Sequence, residues 1–213
     1  MSDSTTKEKV LKKIRASLLS KSPNPFPKLE LESNVFTESK EDKVAEFGKQ
    51  VIATGGEFFI VVDELEFVTG VVELGMKQLW KNVVCTEEVL SNLLYKCDLP
   101  HSCLVEDIHQ MDVAITSCEC AIIRSGSIVL SSTHQTRSVP AYAPEHIVLV
   151  KASQLVKDMK EMFDSFKKQS RFPSAISIVT GPSKTADIEG VTVIGAHGPK
   201  KLYVFLIDDR THG

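Results

Sequence analysis

Apolar positions recur at helical spacing near the amino terminus. Val10, Leu11, Ile14, Leu18 and Leu19 fall among Lys12, Lys13 and Arg15 and predict an amphipathic helix. Residues 20–36 carry Pro23, Pro25 and Pro27, which neither a helix nor a central strand accepts, so a linker or extended arm is expected. Val44, Phe47, Val51 and Ile52 predict a second helix that stops at Gly55-Gly56. Helical and extended patterns then alternate. A buried strand is expected at 58–62, a helix at 63–80 despite Gly70 and Gly75, an extended segment at 83–85 and a helix at 87–95. Residues 112–117 and 127–131 read as adjacent or antiparallel strands linked through 118–126. A polar, proline-bearing loop at 132–145 leads into a strand at 146–150. The stripe Leu155, Met159, Met162, Phe163 and Phe166 predicts a helix over 154–170, with Ser153 as its N-cap and Pro173 at its end. Strands follow at 176–179 and 202–207. Short apolar strands separated by helices imply an α/β fold with a largely parallel sheet covered on both faces.

Composition narrows the function classes. With 42% hydrophobic and 25% charged residues over 213 positions, the chain can bury one sizeable core, which excludes disorder, collagen and a disulfide scaffold. The division expected is a helix and arm at 1–36 followed by one α/β domain at 37–213. Twenty-five Lys and Arg against twenty-eight Asp and Glu leave a net charge of −3, which gives no electrostatic case for nucleic acid or an anionic membrane. The longest apolar runs fall far short of the ~20 residues that span a bilayer. Asp3, Lys7, Glu8 and Lys9 replace the apolar core of a secretory signal, and the acidic residues weaken a matrix-targeting reading. Five spread cysteines suit reduced thiols, so a cytoplasmic location is expected.

Three turns offer chemistry. Thr180-Gly181-Pro182-Ser183-Lys184-Thr185-Ala186-Asp187-Ile188-Glu189 follows a strand and gathers hydroxyls, a cation and backbone N–H groups. It can hold a carboxylate or phosphate, especially if it opens a helix; equally, Ser183 or Thr185 can cap that turn with Asp187 facing the helix dipole. It is not a Walker A loop. Gly195-Ala196-His197-Gly198-Pro199 places a histidine, with an unperturbed pKa near ~6.5, where it is either a ligand contact and proton-transfer group or an ordinary turn residue. Arg124-Ser125-Gly126-Ser127 either donates hydroxyls to an anion or makes a plain hairpin connection. It is not a nucleophile elbow. Cys97, His101, Cys103 and His109, with Cys118 and Cys120 nearby, lack the usual Cys-x-x-Cys knuckle, so no metal is expected. Rossmann and iron–sulfur motifs are absent.

The segment from Ile178 to Glu189, with Val193-Ile194-Gly195-Ala196-His197-Gly198-Pro199-Lys200-Lys201-Leu202-Tyr203-Val204, resembles the C-terminal signature of the lactate-utilisation protein C family. This family is also called LutC/YkgG or LUD-domain proteins. Gly126-Ser127-Ile128-Val129-Leu130 resembles its glycine-led strand and Ala143-Pro144-Glu145-His146-Ile147-Val148 its strand entry. The similarity is strongest over residues 112–208. It implies a single domain with the NagB/RpiA/CoA-transferase-like fold of glucosamine-phosphate deaminases, ribose-phosphate isomerases and CoA transferases, preceded by a helical extension. In such folds ligands sit at the carboxyl ends of the strands, where the three turns would converge.

The resemblance further implies a role in oxidising L-lactate to pyruvate alongside separately encoded iron–sulfur subunits of the LutA/LutB kind, with no cofactor in this chain. Two departures stand out: Lys184 where the family turn commonly carries Arg, and Arg124 where many relatives carry an acidic residue. Three readings follow. In the first, a non-redox accessory protein binds a small anionic metabolite or nucleotide through Ser125, Gly126, Ser127, Thr180, Gly181, Ser183, Lys184, Thr185, Gly195, His197 and Gly198. In the second, an independent transferase, isomerase or ligase uses Glu145, Asp187 or His197 as acid, base or nucleophile. In the third, the turns serve fold geometry alone.

Overall fold

The computed structural model describes residues 5–19, 39–103, 110–132, 139–169, 172–188, 191–195 and 198–212. Residues 1–40 and 41–213 form separate compact units. The first holds helix α1, Thr6–Leu19. Thr5 and Glu8 open it reciprocally: the Thr5 N–H donates to Glu8 Oε2 at 2.8 Å and the Glu8 N–H to Thr5 Oγ1 at 3.4 Å, which satisfies two otherwise unpaired donors. Its apolar residues are all exposed. The proline arm lies outside the described residues.

The second unit begins with α2, Lys43–Ala53, whose N-cap Asp42 accepts from the backbone N–H groups of Val44 and Ala45. Then come β1 (Glu57–Val61), α3 (Glu64–Gln78), β2 (Val83–Val84), α4 (Glu88–Lys96), β3 (Val113–Thr116), β4 (Cys120–Ile122), β5 (Ser127–Ser131) and the one-turn α5 (Val139–Tyr142). The chain continues through β6 (Glu145–Lys151), β7 (Leu155–Val156), α6 (Met159–Lys167), β8 (Ile176–Val179), β9 (Lys184–Ile188), β10 (Val191–Ile194) and β11 (Lys201–Ile207). Five strands form a sheet in the order β1-β11-β6-β3-β2, every pair parallel. A four-stranded mixed sheet runs β7-β4-β5-β8, and β9 and β10 pair antiparallel on their own. No described helix is long and apolar enough to cross a membrane.

Alternation along β11 builds the layers. Tyr203, Phe205 and Ile207 face one core with Phe67, Val68 and Val71 of α3 and Leu90 and Leu94 of α4. Leu202, Val204 and Leu206 face the other, with Phe47 and Val51 of α2 and Ala121, Ile128 and Leu130 of the mixed sheet. The far side of the mixed sheet packs on Met162 and Phe166 of α6. The parallel sheet is thus covered on both faces, as continuous apolar strands require. Gly70 lets α3 approach, since a Cβ there would come 2.7 Å from Phe205 Cε1.

Several expectations change. β1 is an edge strand rather than a buried one, with Ile60 61% exposed, and Ile52 points to solvent. Residues 112–117 and 127–131 belong to different sheets, because the intervening segment forms β4 and β5 pairs with it. The helix predicted from 154 starts at Met159. Gln154 is held in the preceding turn, its amide accepting from the Lys151 N–H and donating to Cys118 O. Leu155 pairs with Ala121 as β7, and Ser153 donates twice to Asp209. Asp158, not Ser153, caps α6 by accepting from the Glu161 N–H. The helix ends at Lys167, before Pro173. The turn at Thr180–Ser183 opens strand β9 and not a helix, so it offers no helix N-terminus.

Candidate functional site

The first and second turns meet at the carboxyl end of α2, and the described ends of the third bond to the second. Gly126 follows the short helical turn Ile123–Ser125 with φ +62°, and a Cβ there would lie 2.5 Å from Gln50 C and 2.6 Å from Val51 N. Gly181, φ +67°, sits directly against Thr54 O. A Cβ on Gly55 would lie 3.4 Å from Lys184 Nζ and 3.6 Å from Pro182 Cδ. Positive φ and backbone contact together demand glycine at 126 and 181.

Side chains extend this junction. Ser125 Oγ lies 2.7 Å from Ser127 Oγ, which lies 2.7 Å from Thr180 Oγ1, joining the first and second turns by a row of hydroxyls. The row runs from buried Ser127 to exposed Thr180. The second and third turns are joined through the backbone: the Gly195 N–H donates to Ser183 O at 2.9 Å and the Ser183 N–H to Pro199 O at 2.8 Å. A Cβ on Gly198 would stand 3.5 Å from Ser183 Oγ. Lys184 makes no hydrogen bond or ion pair with any described residue. Thr185 and Asp187 lie within β9, while His197 is outside the described residues.

The junction lies at the amino ends of the parallel strands. Gly55-Gly56 leads into β1 and Gly198-Pro199-Lys200 into β11, and these strands run parallel with Glu57 beside Tyr203. Convergence at the carboxyl ends, expected from the resemblance, is therefore not what the structure has. The anion cradle is also leaner than expected. The N–H groups of Gly126, Ser183 and Gly195 all bond backbone carbonyls, so these three are not offered to a ligand, whereas the Lys184 ammonium and the hydroxyl row stand beside them.

Glu145 stands apart from that row. At the start of β6 its carboxylate accepts from Trp80 Nε1 at 3.2 Å and Tyr203 OH at 3.0 Å and pairs with Lys201 Nζ at 3.2 Å. Lys201 Nζ also donates to Gln78 Oε1 at 2.7 Å. The Glu145 side chain is 17% exposed. Burial, and then the neighbouring carboxylate, push the Tyr203 phenol well above its ordinary range. With three partners, the Glu145 carboxylate ties β6, β11 and Trp80 together at this end of the sheet.

Two polar pairs escaped the sequence reading. His146, next to Glu145, is fully buried on the opposite face of β6, with Nε2 2.8 Å from Thr116 Oγ1 and Nδ1 without a partner. Burial lowers its pKa to about 4, so the ring is neutral at neutral pH. At the carboxyl end of β3, buried Glu87 accepts from the Ser117 N–H at 2.8 Å and from Ser117 Oγ at 2.5 Å. For Thr116 and His146, single polar letters in otherwise apolar strands were the available signal. Among the described residues no group of three or more His, Cys, Asp or Glu is placed to hold a metal ion.

Known proteins place these features in context. "Lactate utilization protein C" of Bacillus velezensis is 38% identical over 111 residues, which cover 50% of this chain and 46% of that protein. The protein of the same name from Geobacillus kaustophilus is 28% identical over 167 residues, covering 76% of this chain and 67% of that one. The chain thus spans about half the length of the Bacillus velezensis relative. A crystal structure of a DUF162 family protein from Deinococcus radiodurans superimposes with a TM-score of 0.59 at 16% identity, over 80% of this chain and 99% of that one, and shares the fold. The LUD domain family model matches residues 44–207, which take in both main sheets and the whole junction, and the chain belongs to the LUD-domain family.

Proposed function

We propose that this chain is a LutC-like, non-redox component of L-lactate utilisation that binds a small anionic metabolite or nucleotide at the three-turn junction. The observation that carries the ligand reading is Lys184. Its ammonium stands over Gly55, beside turns whose hydroxyls form a row ending at exposed Thr180, and no described carboxylate neutralises it. With the N–H groups of Gly126, Ser183 and Gly195 already bonded, a ligand held here is recognised chiefly by one point charge and hydroxyls, which suits a carboxylate or phosphate without demanding bidentate geometry.

The pathway reading rests on the relatives' name. In it, oxidation of L-lactate to pyruvate is carried by separate iron–sulfur subunits of the LutA/LutB kind. Three buried cysteines support that division: Cys85 and Cys120 are raised to about 12, and Cys118 well above its ordinary value, chiefly by burial, the reverse of ligand thiolates. Deleting the gene is expected to abolish growth on L-lactate, and tagged protein to bring down iron–sulfur subunits. Normal growth together with no such partner contradicts the pathway.

A structural reading also has support. The C-terminal carbonyls of α2 carry partial negative charge, and a lysine at that end stabilises the helix without any ligand.

A further inference from the structure

Away from the junction, α4 and the segment after it assemble Ser91, Tyr95, His101 and Cys103. His101 Nδ1 lies 2.8 Å from Leu99 O, and because a carbonyl only accepts, Nδ1 carries a proton. His101 Nε2 lies 2.8 Å from Ser91 Oγ, and Ser91 Oγ lies 3.0 Å from Cys103 Sγ. The Tyr95 hydroxyl is 3.6 Å from the same sulfur, and the Tyr95 ring rests on the His101 ring at 4.2 Å. Ser91 is buried, whereas Cys103 is exposed.

Two proton arrangements fit these same heavy atoms. In the first, the Cys103 thiol donates to Ser91 Oγ, the Ser91 hydroxyl donates to His101 Nε2, and His101 Nδ1 donates to Leu99 O. In the second, both mobile protons have moved one place along the row. His101 is then an imidazolium donating to Ser91 and Leu99, and Ser91 donates to a Cys103 thiolate. No heavy atom has to shift between them. A nucleophile joined to a base that a third group orients is the arrangement by which enzymes activate thiols and hydroxyls. Hydrogen bonds from Ser91 and then Tyr95 hold the Cys103 thiol below its ordinary value, in contrast to the buried Cys85, Cys118 and Cys120.

We propose that Cys103 is a peroxide-reactive modification site, with Ser91 and His101 as the relay that takes its proton and returns it to the leaving oxygen. The thiolate forms an S–O bond to one oxygen of a hydroperoxide as the O–O bond breaks. Sulfur is oxidised by two electrons to the sulfenic acid, and the other oxygen leaves as hydroxide. That hydroxide takes a proton from imidazolium His101 through Ser91 Oγ and departs as water when the oxidant is hydrogen peroxide, leaving His101 neutral. Alkylation by a halide-releasing reagent needs no such proton, so a relay has its particular use with an oxygen leaving group.

The test exposes the full chain to hydrogen peroxide with dimedone present and maps labelling at each cysteine by mass spectrometry. Half-buried Cys97 serves as the internal comparison. Cys103 is expected to label at least about tenfold faster than Cys97. Ser91→Ala and His101→Gln are expected to slow Cys103 alone, and His101→Gln to slow peroxide oxidation more than iodoacetamide alkylation. Equal labelling of Cys103 and Cys97 in the unaltered chain overturns the proposal whether or not the variants fold. So does a Cys103 rate unchanged in both variants, or an equal loss towards both reagents in His101→Gln.

Discussion

Gly126 and Val51 meet backbone to backbone: a Cβ at residue 126 would lie 2.6 Å from the Val51 nitrogen, at a φ of +62°. The first turn is pinned to α2 by this contact, which places Ser125 and Ser127 beside Thr180. Gly126→Ala must move the turn or the helix and accept a left-handed alanine. A loss of about 3 kcal/mol is expected, from strain of about 1–3 kcal/mol plus the overlap. Urea unfolding reads it directly, and a loss below about 1 kcal/mol would mean that the contact is slack.

His146 makes stability depend on pH. Its folded pKa of about 4 lies below its ordinary 6.5, so the unfolded chain binds the proton first. Stability is therefore complete above pH 6.5 and is lost as pH falls towards 4, by about 3 kcal/mol from this group at full protonation. His146→Gln, which retains a polar partner for Thr116, is expected to flatten that part of the stability–pH curve. An identical slope in the variant contradicts the assignment.

Glu145 and Tyr203 share a hydrogen bond of 3.0 Å at the amino edge of the sheet. Glu145→Gln removes the charge but keeps an acceptor, so the Tyr203 ionisation, read by ultraviolet absorbance against pH, is expected to fall part of the way back towards its ordinary range. Burial, the larger cause, remains. Glu145→Ala leaves Trp80 Nε1 and the Tyr203 hydroxyl without their acceptor and is expected to cost about 2–4 kcal/mol. An unmoved Tyr203 titration in Glu145→Gln would show that the carboxylate does not set it.

Much of the layered fold was legible because period-2 and period-3.6 patterns follow from burial. Leu202 to Ile207 reads as a strand, and Val44, Phe47, Val51 and Ile52 as a helix, of which only Ile52 turns to solvent. Other features had no local signature. Leu155 fits the α6 stripe by spacing, yet Gln154 is tied to Cys118, 36 residues away, and that tertiary bond decides the boundary. The glycine turns announced themselves as turns, and their meeting could be guessed. Which end of the sheet they occupy could not, because it depends on β1 and β11 being parallel neighbours separated by the rest of the domain. The His101–Ser91–Cys103 row was visible only as a poor metal motif, since its middle member is an unremarked helix serine.

The most direct test is a thermal-shift and calorimetric titration of the unaltered chain and Lys184→Ala with lactate, pyruvate, sugar phosphates, CoA and nucleotides. A ligand at a hundred times its dissociation constant adds about 2.7 kcal/mol to the native state. Loss of a helix-end lysine costs only about 0.3–1 kcal/mol. At least one anionic compound is predicted to stabilise the unaltered chain, and Lys184→Ala to lose that shift while remaining folded with nearly unchanged stability alone. A shift of equal size in Lys184→Ala, or none from any compound in the unaltered chain, would contradict anion binding at the junction.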